Sequence, residues 1–172
     1  MREEKASERR TVTIVLNGKK TVGTAEPRML LSDFLRDVTG LREMHVGCEH
    51  GVCGACTVLL DGKLARGCLT FAVQADGRNV DTVQSLSCSG DLSDLQVAFR
   101  KHHALQCGYC TPGILMSAAA FLEIHPNPSE EEVRVMLSGH ICRCTGYAGM
   151  VSAILEVARA RADERIARHH GL

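Results

Sequence analysis

The spacing of hydrophobic residues changes near the middle of the chain. In the first half, Val12, Ile14 and Leu16 alternate with polar neighbours, which predicts a β-strand with one buried face. The pair Asn17-Gly18 that follows is typical of a two-residue hairpin turn. Further strands of this half are predicted at 57–60, from Leu64 onward and around Val80, with turns at Asp61-Gly62 and Asp76-Gly77.

One short helix is predicted within this β-rich half. Five apolar residues that follow Pro27 share one helical face, and Gly40 comes after them as a stop signal. A hairpin, a helix and further strands together predict a small α+β unit. The shared face consists of Leu30, Leu31, Phe34, Leu35 and Val38.

From Asp91 onward the apolar residues recur at helical spacing, which predicts four helices. We expect Asp91 to cap the first helix, and Thr111 to cap the second with Pro112 at its first position. Ser129 opens a capping box for the third helix, and the fourth is expected to begin near Thr145. Four short helices joined by tight loops predict a bundle.

The two patterns together predict an α+β chain with domains at 10–87 and 88–165. Its 172 residues suit one domain of ordinary size or two small ones, and 45% of them are apolar, but aromatic residues make up only 3%. Burial of small side chains contributes less stability, so bound metal is expected to supply part of it. Lys plus Arg equals Asp plus Glu, 20 against 20, which argues against nucleic acid or an anionic membrane surface as the main partner.

The start of the chain and its cysteine content bear on the compartment. The first ten residues are charged and no apolar segment follows them, so we expect no signal peptide. No apolar run is long enough to span a bilayer. Nine cysteines without an export signal indicate a reducing compartment, in which thiols bind metal rather than form disulfides. We therefore expect a cytoplasmic protein without a membrane span.

Eight of the nine cysteines fall into two sets with different spacing. The first set has the pattern Cys48-x4-Cys53-x2-Cys56 followed by Cys68, which is the spacing of plant-type [2Fe–2S] ferredoxins. Glycine is dense around the first three, and it allows a loop to bring backbone N–H groups close to an anionic cluster. A zinc ribbon would instead favour paired x2 knuckles. The first set therefore predicts iron.

The second set consists of Cys107-x2-Cys110 and Cys142-x-Cys144. Each pair precedes a predicted helix N-terminus, where free N–H groups and the positive end of the helix dipole stabilise an anionic cluster. The spacing alone also allows zinc. A ferredoxin-type site in the same chain favours a second redox centre over a zinc site.

The other residues near the two sets are given structural interpretations. Cys88 belongs to neither set and is expected to pack as a small hydrophobic residue. His45, His50 and His140 lie close to candidate ligands, but each set already contains four thiols, so histidine ligands are not needed. Arg143 lies between two candidate ligands, where it could raise the reduction potential of the cluster or serve subunit docking. Both hypotheses stay open.

Three segments of the sequence resemble one protein family. They are Gly47–Val58, Gln106–Gly113 and Cys142–Tyr147, and they contain seven of the eight paired cysteines in a fixed order. They resemble the small iron–sulfur subunit of xanthine oxidase-family molybdenum hydroxylases, such as bacterial carbon monoxide dehydrogenases, aldehyde oxidoreductases and N-heterocycle dehydrogenases. The resemblance covers nearly the whole chain, from about Val12 to Ala160.

The resemblance implies a β-grasp ferredoxin domain followed by a four-helix domain, each with one [2Fe–2S] cluster. It also implies a large partner subunit with a molybdopterin cofactor, often the cytosine dinucleotide form, a medium subunit with FAD, and a dimer of heterotrimers. Gln106 matches a glutamine that contacts the pterin, and Cys144 matches the cluster ligand nearest to it. The implied ligands are Cys48, Cys53, Cys56 and Cys68 in the first domain, and Cys107, Cys110, Cys142 and Cys144 in the second.

The function implied by the resemblance is electron transfer within a molybdenum hydroxylase. Substrate is hydroxylated at molybdenum in the large subunit, and the electrons leave one at a time through the two clusters to FAD or another acceptor. A free-standing two-cluster ferredoxin and a zinc-stabilised interaction module are the alternatives. The substrate stays open among carbon monoxide, aldehydes, purines and N-heterocycles, because its recognition belongs to the large subunit.

Overall fold

The alternating residues of the first half form one face of a mixed β-sheet. The computed structural model describes residues 8–87 and 90–169, without the side chain of the last. The strands in these ranges are β1 (Arg10–Leu16), β2 (Lys19–Ala25), β3 (Thr57–Leu60), β4 (Lys63–Arg66) and β5 (Asn79–Asp81). They form one sheet in the order β2-β1-β5-β3-β4. β1 and β5 are parallel, and the other neighbours are antiparallel.

The first hairpin forms at the predicted turn. Asn17 and Gly18 have φ angles of 48° and 78°, the left-handed values that a two-residue hairpin turn requires. Arg10 therefore lies opposite Ala25 at the far end of the hairpin. The alternation places the side chains of Val12 and Ile14 in the core, where both are fully buried.

A short helix, α1 (Leu31–Asp33), continues into a wider π-helical turn at Phe34–Val38 and packs across the sheet. The N–H of Thr39 donates to the carbonyl of Phe34 at 3.1 Å, which closes the wide turn. Apolar spacing alone predicts a helix here but does not distinguish a π-helical turn from a regular one. The helix packed on a mixed sheet confirms the α+β class of this half.

The second half is helical, as the spacing predicts. Within the described residues, its long helices are α2 (Asp94–Lys101), α3 (Thr111–Ile124), α4 (Glu130–Leu137) and α5 (Tyr147–His169). None of the described helices is both long and apolar enough to cross a membrane.

Two of the predicted helix starts are wrong by a few residues. α2 is capped by Ser93 and not by Asp91, because Ser93 and Gln96 form a reciprocal capping box. At α3, Cys110 occupies the cap position and Thr111 is the first helical residue, so the helix begins one residue earlier than a cap at Thr111 requires.

The other two helix starts lie at or near the predicted positions. Ser129 and Glu132 form the predicted capping box of α4. α5 begins at Tyr147, because Thr145 has a φ of 56° and is outside the helical region. Both cysteine pairs of the second set therefore come shortly before a helix, directly so at α3.

The described residues form two separate hydrophobic cores. One lies between the sheet and α1, and we call the part built on it the sheet unit. The other lies among α2, α3, α4 and α5, and we call that part the helical unit. Val83 and Leu86 pack against the core of the helical unit, although the predicted domain boundary places them in the first domain. Cys88 lies outside the described residues.

The two units meet where the first turn of α3 contacts the loop that precedes β3. A Cβ atom added to Gly113 would lie 2.9 Å from the carbonyl oxygen of Ala55 and even closer to that of Gly54. Beside this contact, the N–H of Ile141 donates to the carbonyl oxygen of Cys53 at 3.0 Å. Backbone therefore packs directly on backbone, and no side chain fits between the units at this point.

We expect Gly113→Ala to destabilise the contact between the two units. The added methyl group would collide with backbone carbonyls, which cannot move aside like the end of a flexible side chain. Overpacking of this kind costs about 1–3 kcal/mol of unfolding free energy. Gly139→Ala is the matched control, because a Cβ there would meet its nearest neighbour at 3.5 Å, an ordinary contact. Thermal unfolding of the cluster-loaded chain measures both, and equal midpoints would contradict the expected collision.

Candidate metal centres

The first cysteine set lies on a tight loop between α1 and β3, with Cys68 on the short helical turn after β4. The N–H of Cys53 donates to Sγ of Cys48 at 3.3 Å. Hydrogen bonds from the N–H groups of Cys53 and His50 lower the pKa of the Cys48 thiol to about 6. The loop thus stabilises a thiolate at Cys48 mainly by backbone donors.

The other two cysteines of this set form a second, buried pair. Cys56 and Cys68 are 1% and 3% exposed. Burial, followed by the neighbouring Cys56 thiol, raises the pKa of Cys68 to about 11. Cys48 also repels a negative charge on Cys68, and the N–H of Gly51 opposes this effect. All four sulfurs therefore interact, and the hydrogen-bonded pairs are Cys48 with Cys53 and Cys56 with Cys68.

Positive φ angles allow this loop to wrap around its sulfurs. Glu49, Gly51 and Gly54 have φ angles of 59°, 83° and 76°. A side chain at Gly51 would run into Leu69, and one at Gly54 would run into His140. Gly51 and Gly54 are thus required both by conformation and by close approach.

The second cysteine set also forms two interacting pairs, which come from distant segments. Sγ of Cys107 interacts with that of Cys144, and Sγ of Cys110 interacts with that of Cys142. Burial and the adjacent Cys142 thiol raise the pKa of Cys110 to about 12. The N–H of Tyr109, followed by Cys144, lowers the pKa of the exposed Cys107. The structure therefore brings the two predicted pairs together.

The hydroxyl of Tyr147 holds the segment that contains the second pair. The N–H of Cys142 donates to this hydroxyl at 2.8 Å, and the hydroxyl donates to the carbonyl of His140 at 3.0 Å. In addition, the N–H of Gly146 points at Sγ of Cys142 at 3.5 Å. Gly146 and Tyr147, at the start of α5, thus fix both the sulfur and the backbone of Cys142.

The predicted pterin-contacting residue lies at the surface of the second site. Nε2 of Gln106 donates to the carbonyl of Cys144 at 3.4 Å, and the Gln106 side chain is exposed. Arg143 is also exposed, which fits its interpretation as a docking residue better than that of a charge held next to the cluster. The pterin contact stays a prediction.

Sequence reasoning missed Ser117 and Arg66, which lie between the two sites, and placed His140 near candidate ligands without its contacts. His140 is only 3% exposed, and its Nε2 lies 2.7 Å from Oγ of Ser117. Burial, followed by the charge of Arg66, lowers the pKa of His140 to about 4, so the ring is neutral. Arg66 itself contacts both units. No local motif reveals these contacts, because they join residues that are far apart in the sequence.

The donor sets fit binuclear clusters. In a [2Fe–2S] cluster each iron takes two thiolates, and each set offers its four sulfurs as two interacting pairs. Within the described ranges, no three His, Cys, Asp or Glu side chains converge as they would around one metal ion. Burial and neighbouring thiols raise the pKa of Cys68 and of Cys110. Bound iron would replace the protons of these thiols and relieve the repulsion between neighbouring thiolates.

Comparison with known protein families gives two matches that overlap at residues 82–90. Residues 14–90 match the "2Fe-2S iron-sulfur cluster binding domain", and residues 82–155 match the "[2Fe-2S] binding domain". Each match contains one complete cysteine set. Two cluster-binding domains support two [2Fe–2S] clusters in this chain.

Individual proteins match over nearly the whole chain. The nicotine 6-hydroxylase small subunit of Paenarthrobacter nicotinovorans is 51% identical over 150 residues, covering 87% of this chain and 90% of that protein. A chain of quinoline 2-oxidoreductase from Pseudomonas putida 86 is 50% identical, with a TM-score of 0.87, covering 92% of this chain and 98% of that chain. Aldehyde oxidoreductase from Desulfovibrio desulfuricans ATCC 27774 matches with 40% identity and a TM-score of 0.83, covering 90% of this chain but 17% of the longer one.

We expect Tyr147→Phe to make one of the two sites more labile. Loss of the hydroxyl leaves the N–H of Cys142 and the carbonyl of His140 without their partner, which costs about 1–3 kcal/mol when such groups are buried. Tyr109→Phe is the control, because the Tyr109 hydroxyl is at the surface, where water can replace its bond to Val46. The rate at which visible absorption bleaches in an iron chelator measures the effect. Equal bleaching of the two variants would show that the Tyr147 hydroxyl does not stabilise the site.

Proposed function

We propose that this chain, which belongs to the small iron–sulfur subunits of xanthine oxidase-family molybdenum hydroxylases, holds two [2Fe–2S] clusters in its two cysteine sets. The proposed ligands are Cys48, Cys53, Cys56 and Cys68 in one site and Cys107, Cys110, Cys142 and Cys144 in the other. The observation that supports this assignment most directly is the arrangement of each set as two sulfur pairs. When bound, each cluster accepts and releases one electron, so the chain is an electron-transfer subunit.

The residues of the chain bind the two clusters, compensate their negative charge and partly exclude water from them. Backbone N–H groups at 50–53 face the first set, and those of Tyr109 and Gly146 face the second. Such donors favour the reduced, more negative state and so raise the reduction potential. Cys56, Cys68 and Cys142 are buried, while Cys107 is exposed. Water and partner subunits therefore reach the second site from the side of Cys107, and the buried cysteines of both sites are shielded from them.

We propose that the second site faces the molybdopterin cofactor of a large partner subunit. Gln106 and Cys107 are exposed there, and Gln106 is bonded to the backbone of Cys144. The first site opens elsewhere, at Val52 and Leu69, which are 54% and 63% exposed. An acceptor such as FAD on a medium subunit is proposed to dock at that opening. The cytosine dinucleotide form of the pterin, a dimer of heterotrimers and a cytoplasmic location complete the proposal.

A free-standing two-cluster ferredoxin is the second candidate function. A free shuttle benefits from a strongly charged docking surface, whereas this chain has equal numbers of acidic and basic residues. The relatives that match it over most of their length are named as subunits of larger enzymes. These observations favour a permanent subunit.

Co-purification of a tagged chain from its host distinguishes the two functions. A stable subunit should elute with a molybdenum- and pterin-containing large chain and with an FAD-containing chain, in equal amounts. The metal and cofactor contents identify these partners without reference to their sequences. A chain that elutes alone with both clusters loaded would favour the ferredoxin, and zinc in place of iron would exclude both redox functions.

We further propose a nitrogen heteroaromatic compound as the substrate of the complete enzyme. Nicotine and quinoline, which appear in the names of two close relatives, both contain such a ring, and the aldehyde oxidoreductase match is less similar to this chain. Substrate recognition belongs to the large subunit, so the purified complex is the object to test. Faster reduction of an artificial dye by N-heterocycles than by aldehydes supports the proposal, and the reverse order contradicts it.

We expect substitution of one cysteine to remove one cluster and leave the other. Cys56→Ala and Cys142→Ala should each retain about half of the iron, since the two clusters contain two iron atoms each. Each variant should also lose electron transfer from molybdenum to the acceptor, because the two clusters act in series. Iron analysis and electron paramagnetic resonance of the reduced protein identify the cluster that is lost.

Cys88→Ala is the control for this experiment. It removes the cysteine that belongs to neither set and should retain the full iron content. Loss of iron in this variant, or full iron in either of the other two, would require a different ligand assignment.

A further inference from the structure

Arg66 contacts both units at the point where the two cysteine loops meet. It is the last residue of β4, two positions before Cys68. Its Nη1 donates to Oγ1 of Thr57 in the sheet unit. Its Nη2 donates to the carbonyl oxygen of Gly139 in the helical unit at 2.8 Å. Since Gly139 lies three positions before Cys142, one guanidinium group joins the segments that lead to candidate ligands of both sets.

The hydroxyl that accepts from Arg66 is itself bonded to the first cysteine loop. Thr57 is 3% exposed, and its Oγ1 donates to the carbonyl oxygen of Gly54 at 2.6 Å. The chain of hydrogen bonds from Arg66 through Thr57 therefore ends on the backbone between Cys53 and Cys56. Hydrogen bonds from a charged donor are roughly twice as strong as neutral ones, so Arg66 orients this whole series of hydrogen bonds.

His140 fixes the helical side of the same contact. Its ring is buried, is bonded to Ser117 of α3, and lies against Gly54. Gly54 has a φ of 76°, so both its backbone conformation and the neighbouring ring exclude a side chain there. The position of Gly54 is thus defined from one side by Thr57 and from the other by His140.

One backbone hydrogen bond joins the two cysteine loops directly. The N–H of Ile141 donates to the carbonyl oxygen of Cys53 at 3.0 Å. Cys53 is a candidate ligand of the first site, and Ile141 is adjacent to Cys142 of the second. A hydrogen bond weakens steeply as its geometry departs from the optimum, so this bond reports whether the two loops keep their register.

We propose that Arg66 is a positioning residue that holds the two cluster-binding loops in register through its paired bonds to Thr57 and Gly139. It thereby fixes the distance and orientation between the two clusters. The proposal rests on the proposed function, because it requires a cluster in each loop. Arg66 acts through the loop backbones and needs no contact with a cluster, a substrate or a partner subunit.

Geometry, and not charge alone, gives Arg66 this role. A planar guanidinium carries donors in a fixed fork, whereas lysine has a single ammonium group on a flexible stem. Arg66→Lys therefore keeps the positive charge but loses the simultaneous bonds to Thr57 and Gly139. Arg66→Gln loses both the charge and the fork. The two variants together separate a positioning effect from an electrostatic one.

The purified holoenzyme with Arg66→Gln, Arg66→Lys and the control Arg100→Gln tests the proposal. Arg100 is an exposed arginine of α2, and it lies outside the two segments, around Thr57 and Gly139, that Arg66 joins. Iron content is measured first, and then the low-temperature electron paramagnetic resonance spectrum of the fully reduced protein. Two reduced clusters at a short fixed separation split each other's signals, and the splitting depends steeply on their distance and orientation. We expect both Arg66 variants to lose or broaden this splitting, and the control to retain it.

The reduction potentials supply the second readout. We expect Arg66→Lys to keep potentials close to those of the unaltered enzyme, and Arg66→Gln to shift them downward because a positive charge is removed. A loss of stability alone would change neither the splitting nor the potentials of the folded fraction. Slower electron transfer between the clusters after rapid mixing should accompany the altered splitting in both variants.

Each remaining outcome has a defined meaning. Unaltered splitting in both Arg66 variants at full iron content overturns the proposal, and so does full restoration by lysine, which would assign the effect to charge. If Arg66→Gln loses a cluster, the splitting in the Arg66→Lys variant decides whether the proposal holds. An unaltered enzyme with two clusters but no splitting also overturns the proposal. An unaltered enzyme that contains fewer than two clusters contradicts the proposed function instead.

Discussion

The close approach of thiols within each cysteine set is the constraint on which the rest of the structure depends. Burial, together with a neighbouring thiol, raises the pKa of Cys68 to about 11 and that of Cys110 to about 12. Ionisation at these positions is unfavourable unless a cation replaces the protons. Folding thus creates sites that bound iron relieves, and metal binding is expected to contribute to the stability of a chain with few large aromatic side chains.

The same constraint explains the positions of the glycines. An anionic cluster needs N–H donors, and a loop presents several of them to one point only if some residues adopt positive φ angles, as Gly51 and Gly108 do. Glycines also allow close packing between the two units. Gly54 leaves room for the ring of His140, and Gly113 leaves room for the backbone before β3. The two units can therefore approach each other so closely that the N–H of Ile141 bonds directly to the backbone of Cys53, a candidate ligand.

The local features of this architecture could be predicted from the sequence, and the long-range ones could not. Alternation, the Asn17-Gly18 turn and the Ser129 capping box depend on neighbouring residues, and the structure confirms all three. The cap at Ser93 was missed because Asp91 is an equally good candidate in sequence, and only the reciprocal bonds with Gln96 decide between them. The spacing groups the eight cysteines into two sets of four, but it does not reveal that within the second set Cys107 lies beside Cys144 and Cys110 beside Cys142. The contacts of Arg66 link residues 73 positions apart, and no local pattern encodes such a link.

The two cores are joined by a contact that includes several directional hydrogen bonds, and this has a consequence for how substitutions act. A change inside either core disturbs one cysteine set, because the sheet core contains Cys56 and Cys68 whereas the helical core contains Cys142. A change at the contact leaves both cores intact and alters only the relation between the sets. An apolar contact could slide with little loss of energy, since burial of apolar surface is non-directional. Hydrogen bonds depend on angle and distance, so a contact made from them defines one register. A chain that passes electrons between two centres needs such a defined register more than it needs additional buried area.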